Sequence, residues 1–214
     1  MIQITINNKQ IGVLRGTTIL DAAKQNGIHI PTLCYLDGVH SHKFGSCRIC
    51  SVEVEGINNL QVACMTEARD GMKINTKSRR VLAARKVLFE LMLSDHSKEC
   101  LSCTRNQSCE LQHLGQLLGV TDNRFITGSV RENVDVSPSI TRTLSKCILC
   151  RRCVTVCKNI QEIGILDAQN RGFDTVIAPA MDIPFNDSTC SFCGQCVVVC
   201  PVGALSETDH TVPV

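Results

Sequence analysis

Residues 147–157 read Cys-Ile-Leu-Cys-Arg-Arg-Cys-Val-Thr-Val-Cys, and residues 190–201 read Cys-Ser-Phe-Cys-Gly-Gln-Cys-Val-Val-Val-Cys-Pro. Both runs follow C-x2-C-x2-C-x3-C, the spacing of two-cluster ferredoxins. A tight turn aims the first three sulfurs of such a run at one iron–sulfur cube. The fourth is carried off by the following segment and reaches the other cube. The spacing therefore assigns Cys147, Cys150, Cys153 and Cys200 to one [4Fe–4S] cluster, and Cys190, Cys193, Cys196 and Cys157 to a second. The copies start 43 residues apart and form the one clear internal repeat. Zinc is the alternative, but zinc sites usually join two C-x2-C knuckles across a long spacer, which these compact runs lack.

Working outward, the remaining cysteines fall into two more groups. Cys34, Cys47, Cys50 and Cys64 form one; Cys100, Cys103 and Cys109, with His96 just upstream, form the other. The 15 cysteines and His96 make four ligands for each of four sites, leaving no thiol for a nucleophile or a redox disulfide. An odd count argues against a closed disulfide framework, and a chain rich in reduced thiols points to the cytoplasm. The longest uncharged apolar stretch, Cys196 to Leu205, is too short to span a bilayer, and Lys9, Arg15 and Asp21 interrupt any apolar leader. A formal charge of +2 and 3% aromatic residues offer little to nucleic acid. With one Tyr, six Phe and no Trp, no module is expected to hold a large apolar core, so cluster assembly should be coupled to folding.

The first group reads C-x12-C-x2-C-x13-C, against C-x4-C-x2-C and a distant fourth cysteine in plant-type [2Fe–2S] ferredoxins. Its surroundings predict a β-grasp domain. Ile2 to Asn7 and Ile11 to Leu14 read as a hairpin with Asn8 and Lys9 at the turn. Thr18-x-x-Asp21 is a helix-capping pattern, Ile19, Ala22 and Ala23 share one face, and Asn26-Gly27 ends the helix. Ser51 to Glu55 alternates as a strand. Gly45 is expected to let backbone N–H groups close on sulfur. His40 and His42 raise a Rieske-like alternative, but the paired C-x-H arrangement is absent and loop histidines suffice.

The second group reads His96-x3-Cys100-x2-Cys103-x5-Cys109. It follows a helical stretch, Ser78 to Ser94, with Val81, Ala84, Leu88, Leu91 and Met92 at helical spacing and Arg79, Arg80, Arg85 and Lys86 expected on a solvated face. His96 could simply end that helix. His113 competes as a ligand, and spacing alone leaves a zinc knuckle open here.

In this order the modules resemble the N-terminal electron-transfer region of [FeFe]-hydrogenases and the start of the large iron–sulfur subunit of respiratory complex I and NAD-linked formate dehydrogenases. The resemblance covers residues 1–206 and includes Phe44 to Arg48, Ser137 to Ile140, Lys146 to Arg152, Asn170 to Pro179 and Cys200 to Glu207. It implies one [2Fe–2S] cluster on Cys34, Cys47, Cys50 and Cys64, and a [4Fe–4S] cluster on His96 through Nε2 with Cys100, Cys103 and Cys109. It also implies an α+β architecture: a β-grasp domain (1–77), a helix plus His-ligated module (78–135), a two-cluster ferredoxin domain (136–206) and a tail (207–214), with 122–139 as a polar connector. Lys158 stands where many ferredoxins place proline after the fourth cysteine. Where a hydrogenase would begin its catalytic domain this sequence ends, and the expectation is that it is not itself a hydrogenase.

No G-x-G-x-x-G, phosphate loop or Ser–His–Asp arrangement stands out, and Gly115 and Gly119 are isolated in a helical region. The expected role is therefore an electron-transfer subunit without a catalytic centre of its own. Its partners would be flavin- and NAD(P)-binding subunits of one complex, with soluble ferredoxin as a further one, as in an electron-bifurcating transhydrogenase. The resemblance places the [2Fe–2S] region and the His96 cluster towards the flavoprotein. The alternatives are an accessory subunit of a hydrogenase or formate dehydrogenase and, from another class, a zinc-stabilised interaction module.

Overall fold

The computed structural model describes residues 1–38, 44–125 and 133–211. His40 and His42, on which the Rieske-like alternative rested, lie outside the described residues, as do the middle of the 122–139 connector and the last three residues of the tail.

Strands β1 (Ile2–Ile6) and β2 (Lys9–Val13) form the expected hairpin, with Ile2 opposite Val13 and Ile6 opposite Lys9. Asn7 and Asn8 make the turn, both at positive φ (49° and 69°), the conformation that a two-residue hairpin loop needs. The turn thus sits one residue earlier than the sequence suggested. Helix α1 (Ile19–Gln25) starts at Thr18, whose Oγ1 accepts from the Asp21 N–H at 3.1 Å, and Asn26 caps its end. Strands β3 (Ser51–Val54), β4 (Gln61–Val62) and β5 (Lys73–Asn75) complete a mixed sheet in the order β2-β1-β5-β3-β4, with β5 parallel to β1. Asn7 locks that parallel edge: its Oδ1 accepts from the Thr76 N–H at 2.9 Å and its Nδ2 donates to Thr76 Oγ1 at 2.7 Å.

The sheet buries Ile2, Ile4, Ile6, Ile11, Val13, Val52, Val54 and Ile74 against Ile19, Leu20, Ala22 and Ala23 of α1. This corrects the expectation of no sizeable core. Alternating isoleucine and valine fill the space that aromatic residues would otherwise occupy.

Helix α2 (Arg79–Ser94) is capped by Ser78, whose Oγ accepts from the Val81 N–H at 3.2 Å. Its buried face runs through Val81, Arg85 and Phe89. Two expectations fail here: Leu91 is exposed, and Arg85 is buried rather than solvated. The stripe follows i, i+4, i+8 from Val81, so Leu91 falls off it. Helix α3 (Glu110–Leu118) crosses α2 at Gly115, where an added Cβ would stand 2.9 Å from the Phe89 ring; Gly119 ends α3 at φ 61°.

The last region has a three-stranded sheet, β10-β7-β6, from β6 (Val134–Val136), β7 (Ile140–Thr143) and β10 (Leu205–Glu207). Strand β6 lies inside the stretch read as a connector. Strands β8 (Asp167–Gln169) and β9 (Val176–Ala178) pair as a separate ribbon. Helix α4 (Arg152–Thr155) runs into one π turn, Val156–Ile160, which carries Cys157 and leaves Lys158 exposed; α5 (Gln195–Val198) carries Cys196. The second core mixes cysteines with aliphatics: Cys109, Cys150, Cys153, Cys157, Cys196 and Cys200 are buried with Phe89, Leu111, Val154 and Phe185. Among the described residues no helix is long and apolar enough to cross a membrane.

Candidate metal centres

Cys34 follows α1, Cys47 and Cys50 precede β3, and Cys64 follows β4, so three separate loops of the β-grasp unit deliver the first group. The thiols meet: Cys34 hydrogen-bonds with Cys47 and Cys64, and Cys64 with Cys50. The bond to Cys34, together with burial, pushes the Cys47 and Cys64 thiols far up; the bond with Cys64 holds Cys50 down. Cys50 is thus shifted one way and Cys47 and Cys64 the other, as expected when like charges are forced together. Gly45 has φ 57°, and an added Cβ would meet the Met65 side chain at 2.9 Å. A side chain here would therefore press on Met65 in the turn before Cys47.

A single local device recurs at the cysteines. The N–H two residues on bonds back to sulfur: Leu149 to Cys147 at 3.4 Å, Phe192 to Cys190 at 3.3 Å, and likewise Ile49 to Cys47, Leu111 to Cys109 and Arg152 to Cys150. Arg48, Leu149 and Phe192 adopt positive φ (54°, 54° and 53°) to turn the backbone for it. Such concave runs of N–H groups are anion nests. They soften the cost of holding thiolates in a dry interior and tune what those thiolates bind.

The two compact runs are interleaved in space. A narrow cavity of ≈ 30 Å³ is lined by Cys147, Cys150, Cys153 and Cys200 together, with Ile148, Leu166 and Val202 as apolar walls. Cys196 has Cys190, Cys193 and Cys157 as its electrostatic neighbours. The fourth cysteine of each run therefore lies beside the first three of the other. Burial, reinforced by these neighbours, raises the Cys196 thiol to about 12 and the Cys150 and Cys153 thiols well above their usual range. Cys193 is the one exposed cysteine among the described residues.

His96, Cys100, Cys103 and Cys109 line one open cleft of ≈ 650 Å³. Burial, then the Lys146 ammonium, holds the His96 pKa down, so its imidazole is neutral and able to ligate. Its Nδ1 is buried with no hydrogen-bond partner. His113 does not line this cleft; it is exposed, with Nε2 3.2 Å from the Gln107 carbonyl. The cleft abuts the ferredoxin unit at Gly203, where an added Cβ would stand 2.5 Å from Cys103 Sγ.

Reading the sequence missed the basic residues between these centres. Arg152, 7% exposed, donates to both oxygens of Glu110 at 2.6 and 2.8 Å and feels both Cys150 and Cys34, so it stands between two centres. Its position between Cys150 and Cys153 was the only available signal. Arg151 stacks over Phe44 at 5.1 Å, tying the same loop to the β-grasp unit.

The donor sets fit iron–sulfur clusters. Among the described residues no group of three or more His, Cys, Asp or Glu side chains is placed to hold a single metal ion. Cys147, Cys150, Cys153 and Cys200 ring one cavity and His96, Cys100, Cys103 and Cys109 another, an arrangement that suits a four-iron cluster, in which each ligand meets a different iron.

Comparison with known proteins gives three matches in order. Residues 1–79 match a 2Fe-2S iron–sulfur cluster binding domain, 85–124 the NADH-ubiquinone oxidoreductase-G iron–sulfur binding region, and 146–204 a 4Fe-4S dicluster domain. The chain is 47% identical to the NADP-reducing hydrogenase subunit HndD of Solidesulfovibrio fructosivorans, over 98% of this chain and 37% of that one. It is 39% identical to the NADPH-Fe(3+) oxidoreductase subunit alpha of Geobacter sulfurreducens, over 96% of this chain and 24% of the relative. It is 29% identical to the mitochondrial NADH-ubiquinone oxidoreductase 78 kDa subunit of Candida albicans, over 98% of this chain and 29% of the relative. The chain thus spans about a quarter to two-fifths of the length of these relatives. A crystal structure of an NAD+-reducing [NiFe]-hydrogenase in the H2-reduced state superposes with a TM-score of 0.88 at 28% identity, covering 99% of this chain and 90% of that one.

Proposed function

We propose that this chain, carrying a 2Fe-2S domain, a complex I-type iron–sulfur region and a 4Fe-4S dicluster domain in the order shared with hydrogenase and complex I subunits, is the electron-transfer part of a multi-subunit NAD(P)-linked oxidoreductase. One observation carries the reading: Cys200 lines the cavity of the first run while Cys157 neighbours Cys196 of the second. Crossed fourth cysteines serve two neighbouring cubes, whereas two independent zinc knuckles have no use for them.

In this reading Cys34, Cys47, Cys50 and Cys64 hold a [2Fe–2S] cluster. Three [4Fe–4S] clusters fall to His96 with Cys100, Cys103 and Cys109; to Cys147, Cys150, Cys153 and Cys200; and to Cys190, Cys193, Cys196 and Cys157. The clusters supply one-electron storage, and the protein sets their spacing and potential. The Cys147 set is the hub. Arg152 joins it to Cys34, Cys153 feels Cys196 of the second dicluster set, and Gly203, three residues past Cys200, touches Cys103. The exposed Cys193 marks the edge where a redox partner could approach. The modules are divided at 1–77, 78–135 and 136–206. Flavin- and NAD(P)-binding subunits are the expected partners, with bifurcation to ferredoxin as one form of the complex, in a reducing cytoplasm. The identity with HndD favours a second reading, in which the chain serves a hydrogenase.

Anaerobic metal analysis tests the reading. It expects roughly fourteen iron atoms per chain with matching sulfide; a folded, colourless chain loaded with zinc would reject it. What copurifies separates the two complexes: a flavoprotein pair without hydrogen evolution supports the first, an H2-producing or H2-consuming subunit the second.

A further inference from the structure

Three arginines are buried among the described residues: Arg85, Arg142 and Arg152. Arg152 meets Glu110, and Arg142 meets Asp135 and Asp182. Arg85 meets no carboxylate among the described residues. It is 4% exposed, and its guanidinium donates from Nε to the Ile49 carbonyl and from Nη2 to the Ser51 carbonyl, both at 2.9 Å. Those carbonyls flank Cys50, itself buried. The fork therefore clasps the backbone on both sides of one cysteine and brings a full positive charge beside it.

A buried cation without a counter-ion is costly, because carbonyl dipoles replace only part of its lost hydration. Burial accordingly holds the Arg85 pKa below its usual value, while the Cys50 sulfur pulls it back up. A guanidinium clasped around Cys50, with no carboxylate partner among the described residues, fits an anion at the cysteine site. Nearby chemistry offers one: a four-thiolate [2Fe–2S] centre is net negative, and more so once reduced.

We infer that Arg85 is the internal counter-charge of the centre held by Cys34, Cys47, Cys50 and Cys64, and that it raises that centre's reduction potential. The inference rests on the ligand set proposed above. A positive charge at short range in a low-dielectric interior stabilises the more negative, reduced state, so its removal favours the oxidised one. Arg85 acts through the field and through the clasped 49–51 backbone; it is a positioning residue, not a ligand.

The test is a redox-poised EPR titration of the full chain, purified without oxygen, for the wild type, Arg85→Gln and Arg85→Lys, with iron counted in each. The expected result is a lower [2Fe–2S] midpoint in Arg85→Gln, a midpoint near wild type in Arg85→Lys, and [4Fe–4S] midpoints unmoved in both. An unchanged midpoint in Arg85→Gln overturns the inference, as does an equal fall in both variants, which would assign the effect to the hydrogen bonds and not the charge. If Arg85→Gln fails to keep the cluster, Arg85→Lys decides: a retained cluster near the wild-type midpoint supports the charge, and a lost one refutes it. A wild-type chain with no [2Fe–2S] signal rejects the ligand set itself, and Arg85 with it, and is told apart by that baseline.

Discussion

The β-grasp unit and the ferredoxin unit solve the same problem of a small domain in opposite ways. The first packs alternating Ile and Val from β1, β2, β3 and β5 onto one short helix, and only Cys50 of its fully buried cluster side chains enters that core. The second fills its middle with Cys150, Cys153, Cys157, Cys196 and Cys200 and has short helices and ribbons around them. Apolar area drives the former by itself. In the latter burial holds the Cys150 and Cys153 thiols well above their usual range, and cysteines share the core with Ile140, Val154, Leu166, Ile177 and Phe185. The lesson is that cluster dependence is a property of a region, not of a chain rich in cysteine.

That contrast can be broken most forcefully by stripping iron with a chelator under argon. Hydrogen exchange should become fast across 147–157 and 190–200 while β1 and β2 amides stay protected; simultaneous loss of both would show that one cooperative unit spans them. Next in size is Gly203→Ala, which sets a Cβ 2.5 Å from Cys103 Sγ between two packed units. We expect iron to fall by roughly four atoms per chain, with the [2Fe–2S] EPR signal intact. Full iron content in that variant would mean that the loop yields.

Ile4→Ala probes the other side of the comparison. Ile4 is 1% exposed at the centre of the sheet, so truncation should cost about 2–5 kcal/mol, read as a lower urea midpoint for the β-grasp unit. Visible absorbance from the dicluster region should be unaltered at denaturant concentrations that unfold the mutant sheet. The smallest effect is expected on the surface, at the Lys24–Asp37 pair. Lys24 holds the Asp37 carboxyl below its usual range, so any stability it lends is present above the ordinary carboxylate pKa and is lost as pH falls through the lowered value. Both side chains are exposed, and at physiological salt Lys24→Met should leave the melting temperature unmoved between pH 7 and acid.

Cysteine spacing made the turns around sulfur legible because a C-x2-C turn is local: three residues suffice to bend N–H groups onto sulfur, and Leu149 and Phe192 do so in the same way. The hairpin, the Thr18 cap and the Ser78–Ser94 helix were legible for the same reason. Apart from the hairpin turn, displaced by one residue, the errors concerned packing. Arg85 looked solvated because helical spacing alone does not reveal that the Ile49 turn and the start of β3 each offer a carbonyl to a guanidinium on that face. Leu91 looked buried because several phases of a leucine-rich helix are apolar. That Gly45 also packs against Met65, brought across by β4, was not visible in the sequence.

The order of amino acids thus dictated which sulfurs cluster locally and how the backbone turns towards them, since C-x2-C turn geometry is written within a dozen residues. Which centres touch, and which cations lie between them, came from the packing of distant segments: Arg152 reaches Cys34 across more than a hundred residues, and Gly203 reaches Cys103 across a hundred. Electrostatic fields and steric exclusion act through space, and only the folded chain brings those partners within range.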